Sequence, residues 1–109
     1  MQFLVLGYDG TDEGAKDRRA KARPDHIAMG DKLLADGHLW YGAAMNDDDG
    51  NMIGSIYMVD FDNEDALNAW LKIEPYKVGG VWQKIEIIKC NTRDPWQFNR
   101  PKEFFENRG

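Results

Sequence analysis

The sequence is short of cysteine: Cys90 stands alone among 109 residues. One thiol excludes an internal disulfide, a CxxC redox or copper site and a cysteine-held iron–sulfur cluster, and packing at a strand end is its expected role. Histidine is nearly as scarce. His26 and His38 are not an i, i+4 pair and no other metal-ligand spacing accompanies them, so no metal or other cofactor is expected. Positive charge is also the minority: 14 Lys and Arg against 19 Asp and Glu leave a net charge of −5. That balance argues against a nucleic-acid partner, whose phosphates want a basic face. No apolar run approaches the ~20 residues of a membrane helix, so no membrane partner is expected. The start, Met1 to Leu6, has no basic region and breaks at Gly7 and Asp9, which argues against a signal peptide and makes the cytoplasm the default location.

What is present is 42% hydrophobic and 30% charged residues, the balance of a single globular domain with a real core. Phe3 to Leu6 with Tyr8 reads as a strand closed by Asp9-Gly10. A charged helix over about 13–22 follows, capped by Thr11 or Asp12. Pro24 fixes its own φ and disfavours helix at Arg23, so the pattern predicts a break there and a second helix over about 24–36 that ends at Gly37. Ile27, Gly30 and Leu34, with Leu33 beside them, form its expected stripe. His26 then falls in a first helical turn, beside free N–H groups that favour the neutral imidazole a general base needs. Gly30 shares its face and leaves open space for a ligand.

His38 to Met45 and Met52 to Phe61 read as a hairpin around an acidic turn. That turn fails the calcium-loop test, because a glycine in sixth place at Gly50 would put Met45 first. Asp62 is the expected cap of a further helix whose buried stripe is Ala66, Leu67, Trp70, Leu71 and Ile73, stopped by Glu74-Pro75. Tyr76 to Gly80 links to a last strand over 81–89. The order β-α-β-β-α-β is the ferredoxin-like arrangement, an α+β fold with helices on one face of an antiparallel sheet. Apolar side chains on both parities of the strands point to a homodimer that buries the second face. Residues 1–90 form the expected domain. Residues 91–109 form an extension whose Trp96, Phe98, Phe104 and Phe105 suggest docking on the body or a neighbouring chain.

Fold alone assigns no function. The strands lack the aromatic pattern of an RNA-recognition module, and the acidic loop Tyr8-Asp9-Gly10-Thr11-Asp12 would repel phosphate. One family does match. Tyr8-Asp9, Arg18-Arg19, Arg23-Pro24-Asp25-His26, Asp36-Gly37-His38-Leu39 leading to Gly42, Gly54-Ser55 and Glu74-Pro75-Tyr76 before Gly80-Val81-Trp82 occur in this order. On these residues the chain resembles the YciI-like (YCII-related) proteins over most of its length. The resemblance implies a dimeric α+β barrel with a His–acid pair: His26 takes the histidine position, and Glu74 stands where the family has aspartate, one methylene longer.

Asp36, Ser55, Tyr76 and Gly30 are then the candidate substrate-binding residues, with Trp40, Tyr41 and Trp82 as further aromatic walls. The family includes an enzyme that eliminates chloride from a chlorinated hydroxyhydroquinone. The implied function is a small cofactor-free lyase or dehalogenase acting on a small cyclic or aromatic compound, with His26 as acid or base and Glu74 orienting it. The alternative is a non-catalytic dimer that binds a small ligand or supports another protein.

Overall fold

The computed structural model describes residues 1–94. Strand β1 (Gln2–Asp9), helix α1 (Ala15–Ala35), strands β2 (Leu39–Asn46) and β3 (Met52–Asp60), helices α2 (Glu64–Ile73) and α3 (Pro75–Val78) and strand β4 (Trp82–Cys90) follow in order. Every strand pairing is antiparallel, in the order β2-β3-β1-β4. This is the expected ferredoxin-like α+β fold, with α3 as an added turn of helix. The tail aromatics Trp96, Phe98, Phe104 and Phe105 lie outside the described residues.

Period-two alternation sorts the sheet into two faces. Phe3, Val5, Leu39, Tyr57, Val59 and Trp82 pack under the helices with Leu33, Leu67, Trp70, Leu71 and Tyr76. On the opposite face the register sets Tyr41 beside Met58, Met58 beside Leu4, and Leu4 beside Ile88, an apolar row across all four strands. Two close approaches depend on glycine. A Cβ at Gly7 would fall within 2.4 Å of the Trp82 ring, and one at Gly42 within 2.8 Å of the Tyr57 ring, so both aromatics lie flat only because these positions carry no side chain.

The expected break at Pro24 does not occur: α1 runs through it without interruption. Proline inside a helix removes one hydrogen bond and costs about 3 kcal/mol in isolation. Here both halves are held by their own tertiary anchors, Arg19 on Asp9 before the proline and His26 on Glu74 after it. His26 is therefore a mid-helix residue, and the argument from a helix's positive end does not apply to it. The expected apolar stripe also moves. Arg19, His26 and Leu33 are the buried residues of α1, whereas Ile27 is 45% and Leu34 50% exposed. Ala22 and Met29 complete the inner face, spaced three and four apart as a helix seam requires. Two smaller corrections concern α2. Asn63, rather than Asp62, caps it through its side-chain oxygen on the Ala66 N–H, and Ile73 is 61% exposed.

Candidate active site

Glu74 sits between α2 and α3 and serves both ends. Its backbone N–H closes α2 on the Trp70 carbonyl, and its Oε2 accepts the Tyr76 N–H at 2.6 Å, capping α3. Pro75 at the first position of α3 has no N–H to satisfy and enforces the turn. The remaining oxygen, Oε1, bonds Nδ1 of His26. Glutamate thus spans two partners that lie on different elements, and it does so while only 1% exposed.

The His26 ring is fixed on every side. It stacks on Tyr76 with centroids 3.6 Å apart and planes 6° from parallel. With the Nδ1–H donated to Glu74, the lone pair on Nε2 accepts the Tyr57 hydroxyl at 2.6 Å. Burial, and next the charge of Glu74, push the Tyr57 phenol far above its usual value, so Tyr57 is an O–H donor. The chain of contacts runs Glu74, His26, Tyr57.

Arg19 is held beside this chain. Its Nε and Nη2 meet the Asp9 carboxylate at 2.7 and 3.3 Å, and Nη2 also reaches the Gly54 carbonyl and the Ser55 hydroxyl. Its Nη1 donates to Tyr76 Oη at 3.3 Å, and its guanidinium carbon lies 4.7 Å above the Tyr76 ring. A buried arginine is tolerated because Asp9 neutralises it and its donors find acceptors. Burial raises the Tyr76 phenol, and Arg19 only partly offsets that.

A cavity of about 290 Å³ opens between α1, β2 and β3, lined by His26, Gly30, Tyr57 and Tyr76 on its inner side and by Ile27 and Leu34 nearer the mouth. An apolar cavity of about 150 Å³ is enough for a benzene ring, so one substituted ring fits. Gly30 creates the space: a Cβ there would stand 3.8 Å from Tyr57 Oη, its nearest neighbour. Arg19, Arg23, Asp31 and Ser55 add polar groups to the lining.

Of the residues expected from sequence, the structure brings His26, Gly30, Ser55 and Tyr76 to the cavity, with Glu74 directly behind His26. Ser55 is 2% exposed and spends its oxygen as acceptor for Arg19 and for Trp82 Nε1 at 3.1 Å. Asp36 is not brought in. Its backbone N–H closes the end of α1 on the Lys32 carbonyl, and its side chain is exposed outside the cavity. Tyr41 is on the opposite face of the sheet, and Trp82 lies behind the wall against Gly7. Among the described residues no group of His, Cys, Asp and Glu could hold a metal ion.

One member of the site, Tyr57, went unread in the sequence, and Arg19 was read only as part of the Arg18-Arg19 pair, without a place among the site residues. Tyr57 follows Ser55 by two along a strand and so must share its face; Arg19 precedes His26 by seven on a helix and must share its side.

The family model of the YCII-related domain matches residues 1–91. The protein YciI of Escherichia coli O6:H1 is 26% identical over 93 residues, covering 80% of this chain and 93% of that protein, and YciI of Shigella flexneri matches equally. Among solved structures, the chain resembles the 5-chloro-2-hydroxyhydroquinone dehydrochlorinase TftG of Burkholderia phenoliruptrix, in complex with 2,5-dihydroxybenzoquinone. The TM-score is 0.70 at 19% identity, over 84% of this chain and 94% of that one. A dimeric ferredoxin-like protein of unknown function from Jannaschia sp. gives a TM-score of 0.52 at 14% identity, over 84% and 98%.

Proposed function

Because this chain belongs to the YCII-related domain family, we propose that it is a small cofactor-free enzyme that uses the His26–Glu74 pair for proton transfer on a small hydroxylated ring. The observation that carries this reading is the contact of Glu74 with His26 Nδ1 at the wall of a ring-sized cavity. Glu74 fixes the tautomer and steadies the imidazolium that forms when the ring takes a proton, the task of the acid in any such dyad. Stacking on Tyr76 fixes the ring plane. The concrete reaction is a lyase or dehalogenase step of the kind that names TftG, in which loss of a proton from the ring compound drives out chloride. The working assembly is a homodimer in which the helix-free faces of two sheets meet.

The test is chloride release from 5-chloro-2-hydroxyhydroquinone. Wild type should release chloride above background, His26→Ala and Glu74→Gln should lose ~100-fold or more, the usual worth of a positioned acid–base group, and Glu74→Asp should retain most of the rate. Release at the background rate by wild type removes the dehalogenase reading. One observation favours a binding module instead: both ring nitrogens of His26 are already engaged within the protein. Tight binding of 2,5-dihydroxybenzoquinone with no turnover would select that alternative.

A further inference from the structure

We propose that Tyr57 is the residue that exchanges a proton with the bound ligand, and that His26 acts through its hydroxyl. The inference rests on the proton-transfer reading above and changes which atom meets the substrate. His26 is 6% exposed, with Nδ1 on Glu74 and Nε2 on Tyr57 Oη at 2.6 Å. No lone pair of the imidazole is left to reach into the cavity. Tyr57 lines the cavity, and its Oη, which bonds that ring, is also the atom nearest the open space at Gly30, where a Cβ would stand 3.8 Å away. The Tyr57 ring keeps this position because Gly42 lets it lie flat on β2 and because it packs beside Trp70 at 5.9 Å.

The step balances as a double transfer. The ligand's O–H or acidic C–H bond breaks and its proton bonds to Tyr57 Oη. In the same event the original Tyr57 O–H proton moves to His26 Nε2. The ligand keeps the electron pair as an anion, Tyr57 ends as it began, and His26 becomes an imidazolium held against Glu74. Reversal returns the proton to the product. Burial and the nearby Glu74 charge disfavour a free tyrosinate at this place, so the two transfers are concerted. The ligand class that fits is a weak acid whose anion is delocalised over a ring, since neither an O–H nor a C–H of ordinary acidity would yield its proton to imidazole.

Two measurements on wild type and Tyr57→Phe decide the matter. The first is modification by diethyl pyrocarbonate, which attacks an imidazole lone pair, with peptide mapping to separate the only two histidines, His26 and His38. Wild-type His26 should react more slowly than His38. In Tyr57→Phe, His26 should react at least ~10-fold faster than in wild type, the change that loss of one ordinary hydrogen bond implies. Equal rates at His26 in both proteins overturn the proposal. So does a wild-type His26 as reactive as His38, a result that stands even if the variant fails to fold. The second is chloride release from 5-chloro-2-hydroxyhydroquinone. If wild type turns over, Tyr57→Phe should lose ~100-fold in kcat with KM changed less than about threefold. A variant within threefold of wild type, beside an inactive His26→Ala, overturns the role of Tyr57 and leaves the dyad standing. If wild type releases no chloride, the dehalogenase reading falls and the reactivity of His26 alone decides the place of Tyr57.

Discussion

Glu74 satisfies two donors that would otherwise be buried without partners, the Nδ1–H of His26 and the backbone N–H of Tyr76. Gln in its place keeps one carbonyl oxygen and gains an NH2 that cannot accept, so with the imidazole proton kept on Nδ1 one donor is orphaned. A buried orphan costs about 1–3 kcal/mol. Urea unfolding of Glu74→Gln should therefore show a loss of that size with an unchanged slope; a loss below about 0.5 kcal/mol would mean the cap and the dyad are not both made in solution. Tyr57 makes a separate prediction about alkaline pH. Its phenol is raised in the folded protein from an ordinary value of 10.0. Below pH 10 both folded and unfolded chains keep the proton and the contribution is fully present. Above it the unfolded chain loses the proton while the folded one holds it, so stability falls as pH rises. Tyr76 acts in the same direction. Stability measured between pH 9 and 11, on the ~10 reference value, should drop less steeply in Tyr57→Phe than in wild type.

Helix α1 is where the sequence was hardest to read and where the site is built. A hydrophobic stripe is sought among apolar residues, yet the inner face of α1 carries Arg19 and His26. By periodicity both look like solvent residues: Arg19 is explained only by Asp9, ten residues before it, and the pairing of His26 with Glu74, 48 residues on, is expected from the family resemblance and not from the helix pattern. The strands and α2 were legible because their inner residues are apolar: Val5, Val59, Leu67 and Trp70 announce their own burial. Pro24 misled for a related reason, since local propensity favours a break and only tertiary anchoring overrides it. Pro24→Ala restores an N–H to the helix interior, where proline costs up to ~3 kcal/mol. It should raise the melting temperature while leaving the Glu74–His26 contact in place, and an unchanged or lowered melting temperature would mean the proline is already accommodated without strain. The space beside Gly30 is open to a direct trial. A leucine there points into the cavity above Tyr57 Oη, so Gly30→Leu should fold normally and bind 2,5-dihydroxybenzoquinone at least ~10-fold more weakly, by exclusion of volume.

At the scale of the whole molecule, the helices cover one face of the sheet and, among the described residues, nothing covers the other. The covered face lies under α1, α2 and α3. The other carries the row Tyr41, Met58, Leu4 and Ile88, with Ile56 and Leu6 in the next register position. Tyr41 is 46% and Ile88 48% exposed in the single chain. A contiguous apolar row across a sheet marks an association surface, because scattered exposed residues need no partner but a continuous patch does. In the homodimer proposed above, a second copy of the same face would be the self-complementary partner, and ~800 Å² from each chain suffices for a stable pair. The net charge of −5 makes the two copies repel at low salt, so association should tighten as ionic strength rises. Sedimentation of wild type should give a species of twice the 12.5 kDa chain mass. Ile88→Glu is the discriminating variant: the side chain is half exposed and outside the core, so the monomer keeps its fold, whereas a charge on the β4 end of the row is desolvated without a partner if the two faces pair, and costs several kcal/mol of association. A 12.5 kDa species with native circular dichroism in Ile88→Glu, beside a wild-type dimer, assigns the interface to this face. A wild type that sediments only at 12.5 kDa at every concentration, or an Ile88→Glu that remains dimeric, places the partner elsewhere and leaves the row unexplained.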